Sequence, residues 1–262
     1  MDNLHILITN DDGIHADGIQ YLSQVLAEDN SNYRLSIIAP DRERSAVGHA
    51  ITMHKPLRVE HITFMHNPAL SGWSVNGTPS DCVKLAVEAI LDHKPDLVIS
   101  GINRGSNLGT DVLYSGTVSA AVEGLIMGIP SVALSLTAAG KSENYIYAAR
   151  FIGKLIPVLI NSSIEPSTLI NVNVPADTGS IKGVRVTSLG SRRYCNTFEK
   201  RVDPRGMYYY WMAGELVDDD PEDDDSDTKA IREKYISVTP IHFQLTNRQV
   251  MPELNRLIDS IS

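Results

Sequence analysis

Two adjacent aspartates, Asp11 and Asp12, are residues whose types and spacing could support catalysis. They follow residues 6–9, a short apolar run with the composition of a buried strand. Neighbouring carboxylates at a strand end repel each other and lose hydration, and a bound cation compensates both effects. A turn with internal hydrogen bonds is the alternative interpretation of Asp-Asp-Gly. The position after the first strand favours metal binding, so we predict that both aspartates are metal ligands and catalytic residues.

Polar loops also follow two other predicted strands. Ser45 lies in the loop after strand 35–39, and Asn103 lies in the loop after strand 96–100. The carboxyl ends of parallel strands meet at one edge of a sheet, so these loops should face the two aspartates. Ligands that are all oxygen atoms favour a hard cation. We therefore predict one divalent cation, Mg²⁺ or Mn²⁺, held by Asp11, Asp12, Ser45 and Asn103.

The glycine-rich segment 101–109 carries little information of its own, because glycines serve tight turns regardless of function. It lacks the Gly-Lys-Ser/Thr ending of a P-loop, and it does not follow the first strand as a dinucleotide-binding motif does. Neither nucleoside triphosphate hydrolysis nor dinucleotide binding is supported.

The segment Tyr114-Ser115-Gly116-Thr117 immediately precedes an alanine-rich predicted helix. Hydroxyl groups and free N–H groups at the positive end of a helix can bind an anion. Ordinary capping by Ser115 or Thr117 explains the same residues equally well. The sequence leaves both interpretations open.

The eight histidines are scattered and form no HxxxH or HExxH pattern, which argues against a histidine metal site. His15 and His49 lie closest in sequence to the predicted ligands, and either could contact a leaving group. Most of the others are expected to be structural or solvated.

Alternating strands and helices must position these loops, and this alternation predicts a three-layer α/β/α, Rossmann-like fold with a mostly parallel sheet. Thr78, Pro79 and Asp81 have the pattern of a helix N-terminus with a capping box. The predicted strands are 6–9, 35–39, 96–100, 131–136, 169–174 and 184–187. The predicted helices are 18–26, 80–91, 118–127 and 145–160.

The alternation of predicted strands and helices ends after about residue 188. An aromatic stretch at 208–211 precedes an acidic run at 218–227, a strand near 235–239 and a helix at 247–260. Aromatic side chains on a thin hairpin need a partner, and a second subunit is the simplest one. The acidic run is expected to be solvated and mobile. We predict a catalytic core at 1–190, a hairpin arm with an acidic loop at 191–240 and a C-terminal strand and helix at 241–262.

Composition narrows the classes of function. The 262 residues are 42% hydrophobic, enough to bury the core of one α/β domain or of one domain with a lobe. The acidic run supplies eight of the negative charges behind the formal net charge of −9, so the rest is nearly neutral and binding to nucleic acid polymers is disfavoured. Two distant cysteines, no signal peptide pattern and no membrane-spanning stretch predict a cytoplasmic protein.

Taken together, the motifs resemble the SurE family, the stationary-phase survival proteins that act as 5′/3′-nucleotidases. They occur in the family's order and spacing and cover nearly the whole chain. The matching segments are 10–13, 39–45, 77–82, 100–103, 107–109, 114–118 and 203–206.

The resemblance implies hydrolysis of nucleoside 5′- and 3′-monophosphates, and of short polyphosphate in some members. It implies the same four metal ligands that the strand-end argument selects. It implies assembly as a homodimer or homotetramer through a C-terminal arm and an exchanged helix. It also implies contacts with the substrate phosphate from Asn107, Ser115, Gly116 and Thr117.

Two other functions are compatible with an aspartate after the first parallel strand. An aspartyl-phosphate phosphatase also uses Mg²⁺, but it needs an Asp-x-Asp spacing that Asp11-Asp12 does not provide. A nucleotide-sensing protein on the same fold would bind nucleotides without hydrolysing them. That function leaves two acidic residues unexplained where an anionic ligand should lie.

Overall fold

A central sheet between two layers of helices dominates the structure, a computed structural model that describes residues 4–29, 32–64, 67–138, 140–195, 198–212, 214–218 and 225–261. The described strands are β1 (Leu4–Thr9), β2 (Tyr33–Pro40), β3 (Val59–Phe64), β4 (Asn67–Val75), β5 (Leu97–Arg104), β6 (Ser131–Leu136), β7 (Leu169–Val174), β8 (Gly183–Val186), β9 (Arg192–Cys195), β10 (Phe198–Val202), β11 (Tyr208–Met212), β12 (Glu215–Asp218) and β13 (Tyr235–Ile241). The described α-helices are α1 (Asp17–Asp29), α2 (Pro79–Leu85), α3 (Gly116–Ile126), α4 (Ser142–Ile160), α5 (Asp227–Arg232) and α6 (Met251–Asp259). A π-helical turn, Ala86–Ile90, continues α2, and short 3-10 helices span Gly109–Leu113 and Thr178–Ser180.

The central sheet has nine strands in the order β3-β4-β2-β1-β5-β6-β7-β13-β8. From β4 to β7 in that order, neighbouring strands run parallel. Helices α1 and α4 pack on one face of the sheet, and α2 and α3 pack on the other. This arrangement confirms the predicted α/β fold with a mostly parallel sheet.

Burial on both faces explains why the central strands are rich in apolar residues. Ile6 and Ile8 of β1 face the core under α1 and α4, whereas Leu7 faces the core under α2 and α3. This division follows from the two-residue period of a strand. Every residue of β6 and β7 is buried as well. Such continuously buried strands are typical of parallel sheets covered on both sides.

The start of α2 confirms the predicted capping box. The Thr78 hydroxyl accepts a hydrogen bond from the Asp81 amide at 3.0 Å, and the Asp81 carboxylate accepts one from the Thr78 amide at 2.8 Å. Pro79 occupies the first turn, where its missing N–H has no cost. These bonds satisfy amides that a helix otherwise leaves without a partner at its N-terminus.

Strand β13 lies in a different place from the one that the sequence suggests. The predicted arm includes this segment, but in the structure it pairs with β7 antiparallel and with β8 parallel inside the central sheet. Its buried residues Ile236, Ser237 and Thr239 fill the sheet at that point. The hairpin of β3 and β4 at the opposite edge was not predicted, because β3 is largely exposed and lacks an apolar run.

The segment between β8 and β13 forms two small antiparallel sheets, one of β9 with β12 and one of β10 with β11. All five residues of β11, from Tyr208 to Met212, are exposed in the single chain. Helix α6 exposes Leu254, Leu257 and Ile258. No described helix is both long enough and apolar enough to cross a membrane.

The end of the acidic run differs from its predicted solvated state. Asp227 is fully buried, and its carboxylate accepts hydrogen bonds from the Gly109 and Gly190 amides at 2.9 Å each. Burial raises the pKa of Asp227, which these amide bonds partly offset. The prediction of a uniformly solvated run is therefore wrong at Asp227, while residues 219–224 lie outside the described part of the chain.

Candidate active site

Asp11 is buried where β1 meets the N-terminus of α3. Its side chain accepts two hydrogen bonds from Thr117, from the hydroxyl at 2.5 Å and from the backbone amide at 3.1 Å. Gly116 is needed for this approach, because a Cβ atom there would lie 2.8 Å from the Asp11 Cβ. The helix terminus thus packs directly on the carboxylate, with its positive end toward the negative charge.

Asp12 lies beside the carboxyl end of β5. Its Oδ2 atom accepts a hydrogen bond from the Arg104 amide at 2.9 Å, and this bond leaves Oδ1 for another ligand. The side chain is half-buried. Asp12 is therefore held in place by a backbone group of the neighbouring strand.

Both carboxylates resist ionisation in the protein alone. Burial raises the pKa of Asp11 to about 6, and the charge of Asp12 adds to that increase while the Thr117 bonds oppose it. Burial also raises the pKa of Asp12, and the nearby Glu43 charge contributes in the same direction. A divalent cation would offset the like charges and the lost hydration. This electrostatic environment fits a cation site.

Of the neutral ligands predicted for the cation, Ser45 lies on an adjoining loop and Asn103 lies near the end of β5. Residues 41–49, which follow β2 and are called the Ser45 loop below, carry Ser45. A hydrogen bond of 2.7 Å from the Arg44 amide to the Asp11 carbonyl joins this loop to Asp11. The Ser45 hydroxyl is exposed and donates to Glu43 Oε1 at 2.8 Å, which leaves its oxygen lone pairs for a ligand. Asn103 donates from Nδ2 to the Gly105 carbonyl at 2.8 Å, and its Oδ1 atom is not used in that bond.

The ligand set would be two carboxylates, a hydroxyl and an amide oxygen, which suits Mg²⁺ or Mn²⁺ better than a softer metal. Across the part of the chain that the structure describes, no group of three or more histidine, cysteine, aspartate or glutamate side chains is arranged to bind a metal. A cation at Asp11 and Asp12 therefore depends on neutral oxygen ligands.

The four predicted phosphate contacts have different environments. Ser115 caps α3, since its hydroxyl accepts a hydrogen bond from the Val118 amide at 3.1 Å, as the capping interpretation predicts. Gly116 and Thr117 lie against Asp11. Asn107 is buried, and its side-chain amide donates to the Ser135 hydroxyl at 2.8 Å. The structure places Gly116 and Thr117 beside Asp11, whereas Asn107 is hydrogen-bonded to strands of the central sheet.

Sequence reasoning missed two groups that shape the site. The Arg104 amide holds Asp12, but a backbone N–H has no signal in the sequence. Glu43 lies near enough to Asp12 to raise its pKa, and its place in a charged loop sequence was the only available indication. The two histidines nearest the ligands in sequence, His15 and His49, are both exposed, and His49 contacts Glu123 at 2.7 Å.

The close packing of Gly116 leads to a stability prediction. We expect Gly116→Ala to lower the free energy of unfolding by about 1–3 kcal/mol, because the new methyl group overlaps the Asp11 side chain. Urea denaturation in EDTA would measure this. Gly153→Ala in α4 is the matched control, since its Cβ would have only an ordinary contact of 3.6 Å with Leu26. Equal stabilities of the two variants would contradict tight packing on Asp11.

Comparisons with known proteins agree with the resemblance in the motifs. A family model described as "Survival protein SurE" matches residues 6–196. A protein of Carboxydothermus hydrogenoformans named "5′-nucleotidase SurE" is 52% identical over 260 residues, covering 98% of this chain and 97% of that protein. A protein of Pelotomaculum thermopropionicum with the same name is 54% identical over 261 residues, covering 97% and 95% of the two chains.

The fold agrees as well. The crystal structure of the SurE protein from Aquifex aeolicus superimposes with a TM-score of 0.80 at 40% identity. The match covers 97% of this chain and 99% of that one. The family model and the relatives both extend over the strand-end loops that carry the candidate ligands. The chain belongs to the SurE family.

Proposed function

We propose that this protein is a divalent-metal-dependent 5′-nucleotidase that hydrolyses nucleoside 5′-monophosphates to nucleoside and phosphate. The observation that carries the proposal is the pair of carboxylates at the sheet edge, fixed by the Thr117 and Arg104 amides. The names of the relatives from C. hydrogenoformans and P. thermopropionicum support the same activity.

Asp11, Asp12, Ser45 and Asn103 are the residues that would hold one Mg²⁺ or Mn²⁺ per subunit. When bound, the cation would supply charge neutralisation at a phosphate oxygen and a lower pKa for a coordinated water. The donor set supports this assignment, because each of the four side chains has an oxygen atom that can face a hard cation.

The two aspartates would have different roles. Both oxygens of Asp11 accept hydrogen bonds from Thr117, so this carboxylate is suited to a fixed ligand position. Asp12 uses only Oδ2 in its bond with Arg104, and Oδ1 can orient and deprotonate the attacking water. Water adds to phosphorus as the bond from phosphorus to the ribose oxygen breaks, and the ribose oxygen takes up a proton that balances the one removed from water. A covalent enzyme intermediate is not required.

The N-terminus of α3 would receive the phosphate. Gly116 and Thr117 lie beside Asp11, and the helix end concentrates partial positive charge that attracts an anion. Ser115 would contribute through its cap, which fixes the first turn. Asn107 would act mainly by holding the loop that follows β5 to the sheet. Its side-chain amide bonds to Ser135, and its backbone amide bonds to Asn173.

The resemblance extends the proposal to 3′-monophosphates and to short polyphosphate. It also extends to a homodimer or homotetramer formed through the arm at 191–240 and an exchange of the segment 241–262. Exposed aromatic residues on β11 and exposed leucines on α6 support an assembly in which these elements are covered. Strand β13, which belongs to the central sheet, would remain with the catalytic core at 1–190 in such an assembly.

Phosphate release tests the proposal directly. The purified full chain would be incubated with a panel of 5′- and 3′-mononucleotides and with tripolyphosphate, in Mg²⁺, Mn²⁺ or EDTA. We expect release from 5′-mononucleotides that EDTA abolishes. Nucleotide binding without release under every metal would instead indicate a sensor. A covalent aspartyl phosphate detected by mass spectrometry would indicate an aspartyl-phosphate phosphatase.

A further inference from the structure

We infer that His49 and Glu123 form a positioning pair that fixes the Ser45 loop and thereby sets the affinity of the metal site, an inference that rests on the proposed function. The His49 Nε2 atom and the Glu123 Oε2 atom are 2.7 Å apart. Neither residue is among the candidate ligands. They connect the far end of the Ser45 loop to α3, the helix that also holds Asp11.

Glu123 is unusual for its position. It is the only charged residue in the sequence of α3, and it is buried. A buried carboxylate is costly unless it is paired or hydrogen-bonded. Two side chains from different elements contact it, His49 from the Ser45 loop at 2.7 Å and Lys84 from α2 at 3.8 Å. Lys84 also pairs with Glu88 at 3.0 Å, so His49 makes the shorter contact with Glu123.

Two backbone hydrogen bonds connect the Ser45 loop to neighbouring segments. At one end the Arg44 amide bonds to the Asp11 carbonyl at 2.7 Å, and at the other the Gly48 amide bonds to the Tyr114 carbonyl at 3.1 Å. Between them Ala46 has a φ of 55°, a left-handed conformation that costs about 1–2 kcal/mol for a residue with a side chain. Contacts at the ends must therefore stabilise the loop shape.

Helix α3 connects the two halves of the candidate site. Thr117 at its first turn bonds to the Asp11 carboxylate, and Glu123 two turns later bonds to His49. A helix is stiff over this distance of roughly 9 Å. Together with the bond from the Arg44 amide to Asp11, the pair therefore sets where Ser45 lies relative to Asp11. Loss of the pair should loosen Ser45 while the carboxylates keep their own bonds.

Outer-shell partners of metal ligands typically change affinity by about 10–100-fold. We expect His49→Ala to weaken Mn²⁺ binding by about tenfold or more. His49→Gln should retain most of the affinity, because the glutamine amide can donate to Glu123 from nearly the same position as Nε2. His54→Ala is the matched control, since His54 is an exposed histidine on the following segment.

The experiment measures the Mn²⁺ dissociation constant of each full-length variant by electron paramagnetic resonance, with thermal unfolding in EDTA as a check of folding. Weak binding by His49→Ala, with near-normal binding by His49→Gln and His54→Ala, supports the inference. Equal affinities in all variants overturn it. If wild type itself binds no Mn²⁺, the proposed function fails instead.

Turnover at saturating Mn²⁺ separates positioning from direct catalysis. A positioning role predicts that kcat of His49→Ala recovers to within about tenfold of wild type once the site is filled. A residue that donates a proton to the leaving group would lose about 10²-fold or more in kcat at any metal concentration. Such a loss with an unchanged dissociation constant would overturn the inference.

Discussion

Replacing Asp12 with asparagine should lower kcat for 5′-AMP hydrolysis by about 10³-fold, equivalent to about 4 kcal/mol of transition-state stabilisation. The asparagine can still accept the Arg104 N–H bond, so the local structure should persist. It loses the negative charge and presents an N–H group in place of Oδ1, the atom that would face the cation and the attacking water. Steady-state phosphate release at saturating Mg²⁺ and Mn²⁺ would measure the effect.

Asp17→Asn is the matched control for that substitution. Asp17 is an exposed aspartate in the first turn of α1, close in sequence to the same loop. Its replacement should leave kcat close to that of wild type. If Asp12→Asn retained the activity of this control, Asp12 would be neither a metal ligand nor the base.

Asp11 leads to a second large effect, on stability in the absence of metal. Because burial raises its pKa from 3.8 to about 6, the folded protein binds this proton more tightly than the unfolded chain does. The cost of burying the charge is fully present above pH 6 and disappears as the pH falls toward 3.8. The metal-free protein should therefore gain up to about 3 kcal/mol from this group across that interval.

Asp11→Asn should remove this cost at neutral pH. Its side chain can still accept from the Thr117 amide and donate to the Thr117 hydroxyl, so both contacts can be retained. Urea unfolding in EDTA at about pH 8 and about pH 5 would compare the variant with wild type. We expect the variant to be more stable than wild type at the higher pH, and the difference to shrink at the lower pH. Identical pH dependence of the two proteins would contradict the assigned burial cost.

The same substitution should have the opposite effect when metal is present. Wild type gains stability from a bound cation by mass action, whereas Asp11→Asn loses a charged ligand and much of that gain. Comparing thermal midpoints with Mn²⁺ and with EDTA would show both effects in one experiment. A buried carboxylate that destabilises the metal-free protein but is needed for binding is typical of a functional site.

The sequence could predict the parts of the fold that depend on local patterns. Short runs rich in apolar residues located β6 and β7, and the spacing of Thr78, Pro79 and Asp81 located the start of α2. Strand β13 also has a visible local pattern, but its partners are distant in the chain, so periodicity could not assign it to the central sheet. The sequence pattern indicates which residues of a segment are buried, whereas the strands with which the segment pairs depend on the whole fold.

The candidate site shows the same limit. Strand ends in a parallel sheet meet at one edge, so the sequence could predict that the Ser45 loop lies near Asp11. The contacts of Thr117 and Asn107 did not, because a hydroxyl or an amide can bond to ligand, backbone or side chain equally well. Asp227 is chemically the same as its acidic neighbours, and only its tertiary partners distinguish it.

The place of β13 in the sheet affects the order in which the protein can form during translation. Strand β8 ends at Val186, but the strand that joins it to β7 begins only at Tyr235, several seconds of synthesis later at typical rates. Until then the nascent chain exposes the unpaired edge of β7, a surface that favours association with other chains. All four candidate metal ligands have been synthesised by that stage. The growing chain can therefore contain a nearly complete site while its sheet is still open.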